Sequence, residues 1–201
     1  MKRGIVLAWL AFLASCIAFL FWRNEWKYSL PTPVPANYQQ IARGATISLP
    51  PVLAGTGTSR PRLLHFFNPD CPCSRFNMPH FKNLATQYGP KVDFAVVLMT
   101  DKPYTNEQVR KRFDIPGSVT ILKDSALAVR CGVYSTPQAV ILDKDDKLYY
   151  RGNYNRARYC NDEKTNYAEI ALQSLLQNRL LTNFSPLALK AYGCTLPTCT
   201  Q

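Results

Sequence analysis

Phe66-Phe67-Asn68-Pro69-Asp70-Cys71-Pro72-Cys73-Ser74-Arg75-Phe76-Asn77-Met78-Pro79 is the stretch that decides the fold. It opens at the end of an apolar run, Leu63-Leu64-His65-Phe66-Phe67, which suits a buried strand, and Asn68-Pro69 breaks that run before Cys71. Pro72 fits the first position of a helix, which makes Cys71 the N-cap. Unpaired amides and the helix dipole stabilise a thiolate there, so Cys71 is a candidate nucleophile. Asp70 works in the opposite direction, because a neighbouring carboxylate disfavours a second negative charge. Cys73 lies two helical positions on, and its side chain diverges from that of Cys71 by about 200 degrees around the axis. A Cys71 to Cys73 disulfide would therefore be strained and easily reduced. Ser74 has no sulfur and cannot resolve a mixed disulfide.

Outward from this segment, residues 92–99 read as a second strand, and Thr105 with Gln108 fits a capping box ahead of a helix that stops near Ile115-Pro116. Residues 118–122 suit a further short strand. Gln138 to Leu142 and Leu148 to Tyr150 flank the polar turn Asp143-Lys144-Asp145-Asp146-Lys147, which predicts an antiparallel hairpin. Tyr167, Ile170, Ala171, Ser174 and Leu175 recur at helical spacing within residues 165–178, predicting a closing amphipathic helix. Residues 37–49 leave a short helix and an edge strand both open.

The central segment resembles the thioredoxin active site, with a strand Phe five residues before the nucleophilic Cys and a helix-kinking Pro eight after it. Gly132-Val133-Tyr134-Ser135-Thr136-Pro137, followed by an apolar strand and Asp143, resembles the cis-proline strand of the same superfamily. Together they imply an α/β, thioredoxin-like fold, a central mixed sheet flanked by helices, over roughly residues 60–178. The resemblance implies that Thr136 and Pro137 face an incoming peptide or thiol, and that His65, six residues before Cys71, stands where these proteins often carry a buried proton-moving acid. Imidazole can move protons near neutral pH, while a core histidine satisfied by a carbonyl is the alternative. Two positions depart from the usual motif: Asp70 replaces the Trp before the nucleophile, and Ser74 replaces the second cysteine.

Residues 4–22 carry no formal charge and span ~28 Å as a helix, enough to cross a bilayer core. Lys2 and Arg3 precede them, and Trp22, Trp26 and Tyr28 follow, so a single-pass transmembrane helix with a cytoplasmic N-terminus is expected. Leu13-Ala14-Ser15-Cys16 resembles a lipobox, but the apolar run continues beyond Cys16, which favours an uncleaved anchor. The organisation read from the chain is an anchor at 1–22, a Pro-rich spacer at 23–60, a thioredoxin-like domain at 61–180 and a Cys-containing tail at 181–201. The expected location is a bacterial inner membrane, with the domain in the periplasm.

In such an exported domain, Cys71, Cys73, Cys131, Cys160, Cys194 and Cys199 imply at least one structural bridge. In the thioredoxin topology Cys160 sits toward the active-site end, and the fifteen residues 179–193 reach far enough to bring Cys194 back. Cys160 with Cys194 is the expected structural disulfide, with Cys199 as the alternative partner. Cys131 reads as a buried small residue or a partner for Cys71.

The charge balance is 24 Lys plus Arg against 13 Asp plus Glu, with no basic run longer than Arg110-Lys111-Arg112. It forms a solvated basic surface, so no nucleic-acid partner is expected. Three functions fit. The first is a membrane-tethered thiol-disulfide oxidoreductase acting on protein or small-thiol disulfides, in which Cys71 attacks and Cys73 or a tail cysteine releases the mixed disulfide. It needs no cofactor and no metal. The second is a copper(I)-binding assembly factor using Cys71, Cys73, Met78 and His80. The third is a non-catalytic interaction domain.

Overall fold

The computed structural model describes residues 2–26, 30–54, 59–156, 162–179 and 184–196. Helix α1 (Lys2–Phe21) comes first; over Arg3–Phe21 its mean hydropathy is 2.5 and none of it is buried, so it is long and apolar enough to cross a membrane. Trp22 and Trp26 stack just beyond it, with ring centroids 6.1 Å apart. Tyr28 lies outside the described residues.

Strand β1 (Arg62–Phe67) is buried at all six positions. Such a run is apolar without alternation because both faces of the strand are covered. Helix α2 (Pro72–Tyr88) returns the chain to β2 (Asp93–Leu98), which lies parallel to β1. Helix α3 (Asn106–Phe113) has the complete capping box of Thr105 and Gln108 and ends at Asp114, in the left-handed region, before β3 (Thr120–Leu122) adds parallel to β2. The next helix, α4 (Ser125–Cys131), has no counterpart in the sequence reading; Asp124 caps it by accepting from the Leu127 amide, and Gly132 ends it at φ 67°. The short strand β4 (Ser135–Thr136) leads across a cis Thr136–Pro137 peptide bond into β5 (Gln138–Leu142). β5 runs antiparallel to β1 and forms a hairpin with β6 (Leu148–Gly152). Buried Arg62 pairs with Asp146 and ties the hairpin turn to the start of β1. Helix α5 (Tyr167–Leu176) closes the domain, and β7 (Cys194–Thr195) pairs antiparallel with β4.

The main sheet has the order β3-β2-β1-β5-β6. Alternation along the strands divides the core in two. Leu63, Phe67, Val96, Leu98 and Ile141 pack with Phe81 and Leu84 of α2 and Leu172 of α5 on one face. Leu64, Phe66, Val97 and Val140 pack with Leu127 and Ala128 of α4 on the other. This mixed sheet, flanked by helices and carrying a cis proline at the head of β5, is the thioredoxin-like fold.

Two expectations need revision. Part of the Pro-rich stretch is not a free spacer: Ile47 and Leu53 are buried in the second core cluster, at 3% and 4% exposure. The Gly44 amide donates to Leu148 O, and the Ile47 amide to Asp146 O. Backbone pairing of this kind covers the open edge of β6, which would otherwise present unpaired groups. The second revision concerns Cys194, whose disulfide partner is Cys71 instead of Cys160. Pairing of β7 with β4 sets Cys194 opposite Thr136, beside the start of α2, so Cys71 is the thiol within reach. Cys160 and Cys199 lie outside the described residues.

Candidate active site

Three segments meet at Cys71. The loop from β1 to α2 is fixed by its own polar groups: the Asp70 amide donates to Asn68 Oδ1 at 2.9 Å, the Cys71 amide to Asn68 O at 3.1 Å, and the Asn68 amide to Ser74 Oγ at 3.3 Å. Ser74, at the place of the usual second cysteine, thus anchors this loop. Cys71 is the N-cap of α2 with extended backbone and Pro72 at the first helical turn. Its side chain makes no capping hydrogen bond to the helix amides, because the sulfur is turned into the disulfide with Cys194.

The second segment is β4. Cys71 Sγ lies 3.6 Å from Thr136 O. In the disulfide this sulfur carries no proton, so the approach is a contact; in the reduced protein the thiol has an acceptor there. Thr136 is fully buried beside the cis proline, so its backbone oxygen faces the reaction centre. The third segment is β7, which brings Cys194 into the disulfide with Cys71, Cα to Cα 6.2 Å, across 123 residues of sequence.

Cys73 stands outside that disulfide and is fully buried on α2, where its carbonyl accepts from Asn77 Nδ2 at 3.1 Å. Cys131 ends α4 fully buried, and burial pushes its thiol up to about 12, so it is inert. Among the described residues no three His, Cys, Asp or Glu side chains gather as a metal site. Asp70, beside Cys71, accepts from Tyr104 Oη at 3.0 Å and pairs with Lys102 Nζ at 3.2 Å. These partners counter part of the repulsion that Asp70 exerts on a Cys71 thiolate.

His65 lies in the core below this loop. It is fully buried, stacks on Phe81 with centroids 4.7 Å apart, and shares a 2.8 Å hydrogen bond between Nδ1 and Tyr154 Oη. Burial, reinforced by nearby His80, lowers its pKa from 6.5 to about 3. At this depth the imidazole packs and hydrogen-bonds within the core, its partner the Tyr154 hydroxyl instead of a backbone carbonyl. The unfolded chain binds a proton below pH 6.5 and the folded chain does not until about pH 3, so this residue costs stability as the pH falls through that window. The stability advantage of the wild type over a His65→Phe variant should shrink by about 2 kcal/mol between pH 7 and pH 5. Urea unfolding at the two pH values measures this; parallel curves would remove His65 as the origin.

Two features escaped the sequence reading: the tail strand that supplies Cys194 to Cys71, and the Lys102 and Tyr104 partners of Asp70. A two-residue strand leaves no periodicity to detect. The reach of residues 179–193 was the only available signal, and it correctly returned Cys194 to the active-site end.

A family model described as a domain of unknown function, DUF6436, matches residues 38–198. No curated protein matches the chain. Among solved structures, an uncharacterized conserved protein from Geobacillus kaustophilus aligns at 22% identity and TM-score 0.64, covering 83% of this chain and 97% of that one. A hypothetical protein from Sinorhizobium meliloti 1021 aligns at 22% identity and TM-score 0.64, covering 79% of this chain and 96% of that one. Both likenesses concern the fold alone. A secreted Mycobacterium tuberculosis disulfide oxidoreductase homologous to E. coli DsbE aligns more loosely, at 18% identity and TM-score 0.46 over 59% of this chain and 85% of that one.

Proposed function

The chain belongs to the DUF6436 domain family, and from the cysteine geometry of its thioredoxin-like fold we propose that it is a membrane-tethered thiol-disulfide oxidoreductase whose redox couple is Cys71 and Cys194. The disulfide between a helix N-cap cysteine and a tail cysteine is the observation that carries this function. In the reduced chain the Cys71 thiolate attacks a substrate disulfide, forming a mixed disulfide and expelling the substrate's other sulfur as a thiolate, which takes up a proton. The Cys194 thiol then loses its proton and attacks Cys71 Sγ, closing the Cys71–Cys194 disulfide and releasing the second substrate thiolate. Two electrons pass from chain to substrate; in reverse, the oxidised chain accepts them from a dithiol.

Cys194 therefore takes the resolving role that the sequence divides between Cys73 and a tail cysteine. Thr136 is the backbone contact for the incoming sulfur, beside Pro137. Titration of the full chain against a glutathione redox buffer, with mass-spectrometric mapping, should reveal one two-electron couple at Cys71 and Cys194. A Cys194→Ala chain should accumulate a glutathione adduct at Cys71 that the wild type does not retain. A couple at Cys71 and Cys73, or no adduct in the variant, would overturn the assignment.

The apolar α1 supports a tether with the domain outside the cytoplasm, in the periplasm of a bacterial inner membrane. A reporter fused after Arg23 should be active only outside the cytoplasm; palmitate incorporation at Cys16 would indicate a lipoprotein instead.

A further inference from the structure

The resolving strand is held by more than its disulfide. Residues 191–196 lie between β4 on one side and the chain just after the membrane helix on the other. The Thr32 amide donates to Ala191 O at 2.9 Å, and Pro31 forms a β-bridge with Tyr192. Thr32 Oγ1 and Ser135 Oγ share a 2.9 Å hydrogen bond, and Ser135 Oγ also donates to Tyr192 O at 3.3 Å. Thr32 and Ser135 are both buried, at 6% and 0% exposure. Beyond the disulfide, Leu196 is buried in the second core cluster. The strand carrying Cys194 is thus fixed on both sides of the cysteine.

Gly193 sets how closely this strand can approach. Its φ is 124°, a conformation that L side chains rarely adopt. A Cβ on it would stand 2.2 Å from Thr136 O, 3.0 Å from Thr136 C and 3.3 Å from Pro137 Cδ. Two of these contacts are backbone and the third is a proline ring, so none can turn aside as a flexible side chain would. Any side chain at 193 must push the strand away from Thr136, and Cys194, one residue on, moves with it.

We infer that Gly193, Thr32 and Ser135 are positioning residues for the resolving step: they hold the Cys194 sulfur at attack distance from Cys71, and the membrane-proximal chain at residues 31–32 is thereby part of the redox centre. This rests on the role of Cys194 proposed above. The attack requires a near-linear approach of one sulfur on another, so displacing the thiol slows it without affecting the earlier attack by Cys71 on substrate. The spacer, although remote in sequence, governs release of the mixed disulfide.

Full-length Gly193→Ala and Thr32→Val chains test this, using glutathione disulfide as the probe and following separately the formation and decay of the adduct at Cys71. Adduct formation should stay within about twofold of wild type in both variants. Decay should slow about 10- to 100-fold in Gly193→Ala, as expected for a displaced reacting group, and about fivefold in Thr32→Val, where a buried hydrogen bond is lost. Added dithiothreitol should restore turnover, because it resolves the adduct from outside. Circular dichroism identifies a variant that has not folded; if Gly193→Ala fails in this way, Thr32→Val still decides. Wild-type decay in the folded variants, with Cys194→Ala still trapping the adduct, would overturn the positioning role alone. No trapping in Cys194→Ala would instead overturn the parent assignment of Cys194 as resolving thiol.

Discussion

A Cys71→Ala chain should lose disulfide exchange by at least about three orders of magnitude, whereas Cys73→Ala should retain wild-type turnover. The contrast follows from where the two sulfurs lie. Cys71 sits at the mouth of α2, bonded to Cys194 and 3.6 Å from Thr136 O. Cys73 is as buried as Cys71, at 0% against 2% exposure, but lies outside the disulfide. Insulin reduction, with alkylation of the reduced chain read residue by residue, measures both effects. Substantial activity in Cys71→Ala would exclude Cys71 as the nucleophile, and loss of turnover in Cys73→Ala would return the resolving role to the neighbouring cysteine.

Phe81→Ala should destabilise the protein by about 3–5 kcal/mol, the range for emptying a buried aromatic site. Phe81 is fully buried on α2, stacks on His65 of β1 at 4.7 Å and meets Phe94 of β2 edge-on at 5.9 Å. It seats the helix that carries the reactive N-cap on the two central strands. The loss should therefore appear in urea unfolding of oxidised and reduced protein alike, since the ring packs on His65 and Phe94 of the sheet. A change below about 1 kcal/mol would mean that neighbouring side chains collapse into the vacated space.

What could be read from the sequence was local. β1, β2 and the Gln138 hairpin stand out because apolar runs are bounded by Pro, Asn or charged turns, and α3 because Thr105 and Gln108 form its capping box. Cys71 was legible because a Pro at the next position marks a helix start. α4 was missed although Asp124 and Gly132 mark its two ends, since only seven residues separate them and few repeats fit in two turns. The pairing of Cys194 with Cys71 was beyond local signals, for it depends on how residues 184–196 fold back over β4. The buried proline-rich segment was misread because composition reports chain stiffness, while Ile47 and Leu53 report a docking that only the assembled sheet provides.

The Cys71–Cys194 bond also closes a covalent ring around nearly the whole domain. Its ends are 123 positions apart, and the ring contains four of the five strands of the main sheet, β2, β3, β5 and β6, with helices α2 to α5, while β1 lies just outside it. Cross-linking so long a loop reduces the freedom of the unfolded chain by about 5 kcal/mol. Opening or closing this bond is therefore also a change in the stability of the fold. In the proposed cycle each turnover would alternate between a covalently closed state that resists unfolding and an open one that is easier for a protease to enter, so the ratio of reduced to oxidised partners should set the lifetime of the protein as well as its activity.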